Sequence, residues 1–302
     1  MAISRQQLAK ELEPGLNALF GLEYKQYENQ HAEIFDTENS DRAFEEEVML
    51  SGFDKAAVKS EGAAVAYDNA QETYTARYQH ETIALAFSLT EENVEDNLYD
   101  KISTRYTKAL ARSMAQTKQT KAANVLNNAF AAGVTGGDNE SLIGNAHPTI
   151  AGNLSNRPTT LSDLSETSLE QAMIDIGNFK DERGLKIAAR GMKLIIPAEG
   201  QFTAERLMKS AQRVGTADND INALKSKGMI PQGYVVNNYI NDGEQWFIKT
   251  DVPNGMKHMV RAPIKTAMEG DFETGNMRYK ARERYSFGWS DWRGIYGSDG
   301  TA

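Results

Sequence analysis

The sequence of 302 residues contains no cysteine. Disulfide bonds, thiolate nucleophiles and metal sites with cysteine ligands are therefore excluded, and we expect stability to come from packing and assembly. Nowhere do 18 uncharged apolar residues stand together, and the first residues, MAISRQQLAK, lack the apolar run of a signal peptide. The sequence thus predicts a soluble protein of the cytosol with no membrane segment.

Motifs of the common enzyme classes are also missing. There is no GxxxxGKS/T phosphate loop, no HExxH zinc pair and no GxSxG nucleophile elbow. The histidines, His31, His80, His147 and His258, are scattered along the chain, and we interpret each as an ordinary surface or loop residue. We therefore predict that the protein is not an enzyme, with no catalytic, cofactor-binding or metal-binding residue and no cofactor.

Basic residues are scarce in the first third of the chain. Residues 1–100 carry 7 Lys/Arg against 21 Asp/Glu, a net charge of −14, whereas residues 101–302 carry 26 against 21, a net charge of +5. These charges are expected either to pair, within the chain or between neighbouring copies, or to lie on solvated faces without a partner. No basic patch with interleaved aromatic residues indicates sequence-specific nucleic-acid binding.

The first third of the chain predicts an arm and a hairpin. Apolar residues at helical spacing, interrupted by Pro14 and Gly15, predict a short broken helix, and an acidic segment without a sustained period predicts an extended arm. From Val48 to Leu89, short alternating runs broken by glycines predict a long hairpin that projects from the body and ends in a half-buried strand. Such a hairpin is stable only against neighbouring molecules.

A long amphipathic helix is predicted next. The pattern between Thr90 and Gly133, opened by a candidate capping box at Ser88 and Glu91, corresponds to about 40 residues, or a rod of roughly 60 Å. Its predicted apolar stripe includes Tyr106 and later leucine, methionine and alanine positions. A rod of this length indicates a spine along which other parts of the chain are placed.

A mixed α/β region follows a Gly/Asn-rich connector. Thr167 and Glu170 predict the cap of a second helix. A strand that stops at Pro197 is followed at once by another helix, and the strand QWFIKTD contains Trp246. Short strands and turns alternate from residue 216 onward, as in a compact domain of mixed type.

Aromatic residues concentrate in RYSFGWSDWRGIYGS, residues 284–298, which holds two of the three tryptophans. Apolar and basic residues alternate over residues 277–289, which predicts a strand of roughly 43 Å with an aromatic face and a basic face. Glu283 alone interrupts the apolar side. The aromatic face is expected to pack along the spine helix and the basic face to meet acidic arms. Trp292 is expected to face a neighbour, with the Gly/Ser/Asp tail beginning after Tyr296.

In order and spacing, these parts resemble the major capsid proteins of tailed bacteriophages. MKLIIPAEGQFTAERLMKS looks like the strand–Pro–helix segment of that family, QWFIKTD like its later strand, and RERYSFGWSDWRGIYGS like its C-terminal strand. The resemblance covers nearly the whole chain. It implies an α+β tailed-phage major capsid fold that self-assembles as hexamers and pentamers into an icosahedral shell around double-stranded DNA.

The resemblance also implies a division of the chain. Residues 1–45 would form the N-terminal arm, residues 46–88 the extended hairpin loop over an adjacent subunit, and residues 89–190 the spine helix and peripheral domain. Residues 191–265 would form the axial domain, and residues 266–302 the C-terminal return strand of the peripheral domain. Some relatives crosslink through a lysine of the extended loop; here a solvated lysine is the default interpretation.

The implied partners are further copies of the chain, a separate scaffolding protein, a portal protein, a decoration protein and packaged double-stranded DNA held without sequence specificity, with no membrane. The implied location is the virion capsid, with assembly in the host cytoplasm. The residues expected at contacts between subunits are Phe53, Lys55, Lys59, Tyr67, Tyr74, Tyr78 and Trp292.

Two alternative functions remain open at this point. The first is a cargo-enclosing compartment shell of the same fold, which has no genome to package. The second is a soluble oligomeric α/β enzyme whose acidic residues in the 216–255 region would carry the chemistry. The sequence offers these acids no partner motif, so the shell is the leading prediction.

Overall fold

A computed structural model describes residues 5–90, 92, 99–213, 220–271 and 273–300. The helices of this part are α1 (Arg5–Gln26), α2 (Tyr99–Asn127), α3 (Glu166–Gly177), α4 (Gln201–Lys209) and α5 (Ala223–Lys227). The strands are β1 (Asp36–Asn39), β2 (Phe44–Leu50), β3 (Glu72–Gln79), β4 (Glu81–Leu89), β5 (His147–Thr149), β6 (Gly152–Leu154), β7 (Gly191–Ile196), β8 (Tyr234–Val236), β9 (Trp246–Thr250), β10 (Met256–Gly270), β11 (Met277–Trp289) and β12 (Ile295–Ser298).

The first four-stranded sheet has the order β1-β10-β11-β4. β11 pairs antiparallel with β10 on one side and with β4 on the other, and β1 runs parallel to β10 at the edge. One face of this sheet packs against α1 and α2 through Leu16, Phe20, Leu110, Met114 and Tyr279. The predicted contact between the aromatic face of the last long strand and the spine helix is therefore confirmed.

The second four-stranded sheet has the order β12-β9-β7-β8. Its core is formed with α3, α4 and α5, and includes Leu169, Leu194, Leu207 and Trp246. The chain alternates between the two sheets, because β10 and β11 belong to the first and β12 returns to the second. The predicted boundary at residue 265 thus falls inside β10, and the last strand does not stay with the sheet of the spine helix.

Two backbone segments cross in close contact where the chain passes between the sheets. A Cβ atom on Gly294 would lie 2.4 Å from the Cα of Gly255, and one on Gly255 would lie 2.8 Å from the Cα of Gly294. Gly255 directly precedes β10 and Gly294 directly precedes β12. Only glycine fits at this crossing, because any side chain would push the two segments apart.

The helices differ from the sequence prediction in three respects. α1 continues through Pro14 over 22 residues, because the proline is on the exposed side while Leu16 and Phe20 bury the next turns against α2. α2 is described over 29 residues and ends at Asn127, before the predicted stop at Gly133. The predicted cap of this helix extends to Glu91, which lies outside the described residues. Tyr106, assigned to the buried stripe, is 50 % exposed.

The cap of α3 also differs from the prediction. Ser165 is the N-cap and its hydroxyl accepts a hydrogen bond from the Ser168 backbone N–H, with Ser168 completing the capping box. Thr167, the predicted cap, is exposed within the first turn. The hydroxyl that caps is the one whose residue keeps an extended backbone, with φ −142° and ψ 169°.

The C-terminal strands test the alternation of apolar and basic residues predicted for residues 277–289. β11 covers Met277–Trp289, the 13 residues predicted from the alternation. The tail, in contrast, was predicted to begin after Tyr296, but β12 continues to Ser298 and all four of its residues are buried. Small residues are required there, because a Cβ on Gly297 would come within 2.6 Å of the Phe247 ring.

Candidate inter-subunit surface

The loop that joins β2 and β3 is exposed from its second residue onward. β2 and β3 pair antiparallel from Phe44 with Gln79 to Leu50 with Glu72, and every residue from 52 to 72 is exposed. Val58 is 100 % and Tyr67 is 97 % exposed. Large apolar side chains in this state indicate a surface that another molecule covers.

Four of the residues predicted at subunit contacts lie in this loop. Phe53 is 61 % exposed, and Lys55, Lys59 and Tyr67 are exposed beside it. Both rings are largely exposed, and their place at a contact between subunits stays a prediction. β4, which was included in the predicted hairpin, instead pairs with β11 along the body.

The base of the hairpin is fixed to the body by a polar cluster. The Tyr78 hydroxyl and the Ser290 hydroxyl are 2.5 Å apart, and the Ser290 hydroxyl also donates to Glu47. Lys257 of β10 forms ion pairs with Glu47 and with Glu38, the latter at 3.1 Å. Burial would lower the pKa of Lys257, but these carboxylates outweigh it and raise that pKa. The cluster therefore holds the hairpin at one position on the first sheet.

Two of the predicted contact residues are tyrosines of this base, and the prediction for Tyr78 is wrong. Tyr78 is only 3 % exposed, and its ring lies against Gly288. The hydroxyl of the partly buried Tyr74 donates to the Ser290 carbonyl at 3.2 Å, so its polar end is directed into its own subunit. Burial raises the pKa of both tyrosines, and both anchor the hairpin.

Trp292 is also buried within the chain, which corrects the prediction that it faces a neighbour. It is 1 % exposed, and its ring stacks on His147 with centroids 4.3 Å apart. The guanidinium carbon of Arg293 lies 4.2 Å from the same ring. Sequence alternation ended at residue 289, so it carried no information about the side on which Trp292 would lie.

Arg293 is the centre of a buried polar cluster beside this tryptophan. Its guanidinium donates to Asp291 at 3.1 Å, to Glu182 at 2.8 Å and to the Lys180 carbonyl at 2.7 Å. Burial raises the pKa of Asp291 and of Glu182, and Arg293 opposes that rise. Arg293 pairs with both carboxylates, while Glu182 Oε2 is buried without a hydrogen-bond partner. The cluster therefore joins the loop at residues 180–182 to the turn that precedes β12.

A second buried cluster joins three elements. Glu283 of β11 is 1 % exposed, and its carboxylate is 2.5 Å from the ammonium of Lys118 in α2. Tyr24 of α1 donates to Glu283 at 3.3 Å and accepts from Lys118 at 2.9 Å. The interruption of the apolar face, visible in the sequence, was the signal for this cluster, but the partners could not be inferred from it.

The histidines were interpreted as surface or loop residues. None lies at the surface, although His80 does lie in the connection between β3 and β4. His31, His80, His147 and His258 are 6, 6, 0 and 4 % exposed. His147 pairs with Asp138 at 2.6 Å, and His258 stacks on Phe287 with centroids 4.3 Å apart. Each ring packs as a flat, partly apolar body, a role that leaves no motif in the sequence.

The described residues contain no group of three or more His, Cys, Asp or Glu side chains that could hold a metal ion. In the same part of the chain, no helix combines the length and the apolar character needed to cross a membrane. A surface cleft of about 320 Å³ lies between the hairpin base at Leu50 and the Arg293 cluster. The exposed loop of residues 52–72 is the candidate functional surface of the described residues.

This combination of an anchored but exposed hairpin, a long helix across a sheet and a second sheet with its own helices defines the class of α+β shell-forming subunits. The family model described as phage capsid protein matches residues 72–298. The chain belongs to this family. It is a structural protein of a phage capsid shell, located in the virion, and the family favours neither the compartment nor the enzyme alternative.

Several solved structures share the fold of the chain. The chain is similar to the virus-like particle from Pyrococcus furiosus, with 12 % identity, a TM-score of 0.53 and coverage of 94 % of this chain and 97 % of that one. The capsid of an empty GTA particle is 13 % identical, with a TM-score of 0.59 and coverage of 91 % of each chain. A phage-related protein from Bordetella bronchiseptica RB50 is 12 % identical, with a TM-score of 0.51 and coverage of 93 % of this chain and 95 % of that one. No curated protein matches the chain.

Proposed function

We propose that the chain assembles as hexamers and pentamers into an icosahedral shell that encloses double-stranded DNA, without catalysing a reaction. The observation that carries this proposal is the exposed loop of residues 52–72 on a hairpin whose base is fixed to the body. A rigid base with an apolar, exposed end suits an arm that a neighbouring subunit covers.

The parts of the chain receive corresponding roles in this proposal. The first sheet with α2 serves as the peripheral domain, and the second sheet with α3, α4 and α5 as the axial domain around the capsomer centre. Residues 1–45, which include α1 and β1, serve as an N-terminal arm that lies on the peripheral domain. Exposed Phe53, Lys55, Lys59 and Tyr67 make the contacts between subunits.

The charge of the chain supports enclosed DNA without tight binding. The net charge is −9, and a strongly basic inner wall would retain phosphate backbones instead of letting them slide during packaging. We propose further that a separate scaffolding protein guides assembly in the host cytoplasm, that a portal protein admits the DNA, and that a decoration protein binds the finished shell.

Electron microscopy of the purified chain, alone and with its scaffolding protein, tests the proposal. Particles tens of nanometres across, or rings of five and six subunits, are expected. A uniform small oligomer under all conditions would contradict it.

Deletion of residues 52–70 tests the arm directly. The deletion removes exposed residues only. We therefore expect a soluble subunit that unfolds cooperatively and whose circular dichroism shows the same helix content as the parent. Shell formation should be lost, because the contacts between neighbours are absent. A deletion variant that no longer unfolds cooperatively would show instead that the loop belongs to the core.

A further inference from the structure

Carboxylates outnumber cations in the surface cleft between the hairpin base and the Arg293 cluster. The cleft has a volume of about 320 Å³. With all groups ionised, its four acidic side chains and one basic side chain give the lining a net charge of −3. We call it the acidic cleft. Its charged residues are Asp181, Glu182, Asp251, Asp291 and Arg293.

Glu182 is the most deeply buried acid of this lining that has an oxygen to spare. The residue is 2 % exposed. Its Oε1 accepts a hydrogen bond from Arg293 at 2.8 Å, whereas its buried Oε2 has no hydrogen-bond partner among the described residues. A carboxylate oxygen in this state loses its hydration and gains no hydrogen bond in return, which is unfavourable. A cation placed in the cleft beside Glu182 would offset this loss.

The pKa values of the buried acids show the same excess of negative charge. Burial raises the pKa of Glu182; Arg293 opposes that rise, while Asp291 and Asp181 add to it. Burial also raises the pKa of Asp291, again opposed by Arg293. One guanidinium therefore does not compensate for the carboxylates around it, and a further positive charge would stabilise their ionised forms.

The other two carboxylates of the cleft are more accessible and are held in place by the backbone. Asp181 Oδ1 accepts hydrogen bonds from the N–H groups of Arg183 and Leu185, at 2.9 and 2.7 Å. Asp251 is exposed, and its Oδ1 accepts from the Arg190 N–H at 2.8 Å. In the described part of the chain, neither carboxylate forms an ion pair with a basic side chain. Their charges are thus positioned but not neutralised.

Apolar side chains form the rest of the lining, and they favour an organic cation over a metal ion. Hydrocarbon can pack on this wall, from which a hydrated inorganic ion gains nothing. The described residues include no group of three or more His, Cys, Asp or Glu side chains that could hold a metal ion, so the four carboxylates do not converge on one point. The cleft therefore fits positive charges that are separated by hydrocarbon. The apolar wall includes Leu50, Ile187, Val252 and Pro253.

We propose that the acidic cleft binds a linear aliphatic polyamine, with ammonium groups beside Glu182 and Asp251 and the methylene chain against Leu50 and Val252. A ligand with two or three ammonium groups matches the lining better than the single ammonium of a lysine side chain. This inference goes beyond the proposed function, because the site lies within one subunit and does not depend on assembly. A bound polyamine would join the hairpin base at Leu50 to the segment that follows β9.

Calorimetric titration of the unassembled full chain with spermidine tests the site, and one molecule per subunit is expected. Glu182→Gln keeps an oxygen that accepts from Arg293 but removes the charge, so the Kd for spermidine should rise at least about tenfold. Asp251→Asn keeps an acceptor for the Arg190 N–H and should raise the Kd about threefold. Thermal unfolding without ligand verifies that both variants fold. If Glu182→Gln does not fold, Asp251→Asn, at an exposed position, decides.

A matched control separates the cleft from the overall charge of the chain. Glu61→Gln makes the same change of charge in the exposed loop, outside the cleft, and should leave the Kd within about twofold of the parent value. Equal weakening by Glu61→Gln and the cleft variants would show that spermidine responds only to the net charge of −9, and would overturn the proposal. A parent chain that does not bind spermidine would overturn it as well.

Three further probes identify the kind of cation. Butylamine has the single ammonium of a lysine side chain, so it should bind at least about tenfold more weakly than diaminobutane, which has two. Equal affinity for these two amines would show that the cleft takes a single ammonium, such as a lysine of a partner protein, and the polyamine proposal would be wrong. Mg²⁺ at the same concentration should not displace spermidine; displacement would indicate a metal site and would also refute the proposal.

Discussion

Glu283 lies on the apolar face of β11, where burial of a charged carboxylate is unfavourable because the carboxylate loses its hydration. Burial raises its pKa, and Lys118 opposes that rise; burial would also lower the pKa of Lys118, but Glu283 outweighs it and raises that pKa. With Tyr24, the pair links α1, α2 and β11. A buried ion pair of this kind adds little net stability, but losing one partner is costly.

We therefore expect Glu283→Leu to lower the free energy of unfolding by about 3–5 kcal/mol, because Lys118 is left charged and buried. Lys118→Met/Glu283→Leu should recover most of that loss, since neither charge remains. Urea unfolding measures both. The control is Glu46→Leu, which removes the partner of Arg77 in an exposed pair and should change stability by less than about 0.5 kcal/mol. Equal losses in the single and double variants would contradict this account.

At the scale of elements, local pattern predicted the long strand but not the caps and ends. β11 follows a strict alternation over 13 residues, and burial on one face enforces its register. Pro14 was expected to break α1, yet tertiary contacts of Leu16 and Phe20 maintain the helix. Tyr78 resembled an exposed arm residue because its partner, Gly288, is 210 positions away in the chain.

The cap of α3 gives the prediction at this scale. Ser165→Ala removes the hydroxyl that accepts the Ser168 N–H, and should cost about 1 kcal/mol of unfolding free energy. Thr167→Ala, at the position that the sequence favoured, should cost less than about 0.5 kcal/mol. Thermal or urea unfolding of the two variants side by side decides between the caps, and the reverse order would contradict the structure.

For the whole molecule, two buried histidines join the segment between α1 and β1 to the first sheet. The rings of His31 and His258 meet edge to face, with centroids 5.2 Å apart. In the same segment, the ring of Phe35 lies 5.1 Å from that of Phe287, measured between centroids. Burial, then the nearby His31 and Lys118, lowers the pKa of His258 to about 3. Burial lowers the pKa of His31 as well.

Acid should therefore weaken the fold through His258. The unfolded chain binds the proton near pH 6.5 and the folded chain only near pH 3, so stability falls as the pH drops through this window, by on the order of 2 kcal/mol at pH 5. His258→Phe keeps a flat ring but cannot be protonated. The loss of melting temperature between pH 7 and pH 5 should be smaller in this variant than in the parent; an equal loss would exclude His258 as the cause.

The architecture at this scale was predicted better than its boundaries. The sequence indicated an arm, a hairpin, a spine helix and a mixed α/β region, because each has a distinct periodicity and composition. It could not show that β12 leaves the first sheet for the second, or that β10 crosses residue 265. Strand exchange between sheets depends on contacts distant in sequence, which no local pattern records.

The crossing of Gly255 and Gly294 has a mechanical consequence for a shell. In the proposed DNA-filled shell, pressure from the genome would load each subunit, and the first sheet would pass part of that load to the second. At this point the two backbones touch with no side chain between them, so force passes through stiff peptide units and not through rotatable side chains. The stiffness of the junction between the two sheets is therefore set, at this crossing, by the backbone itself.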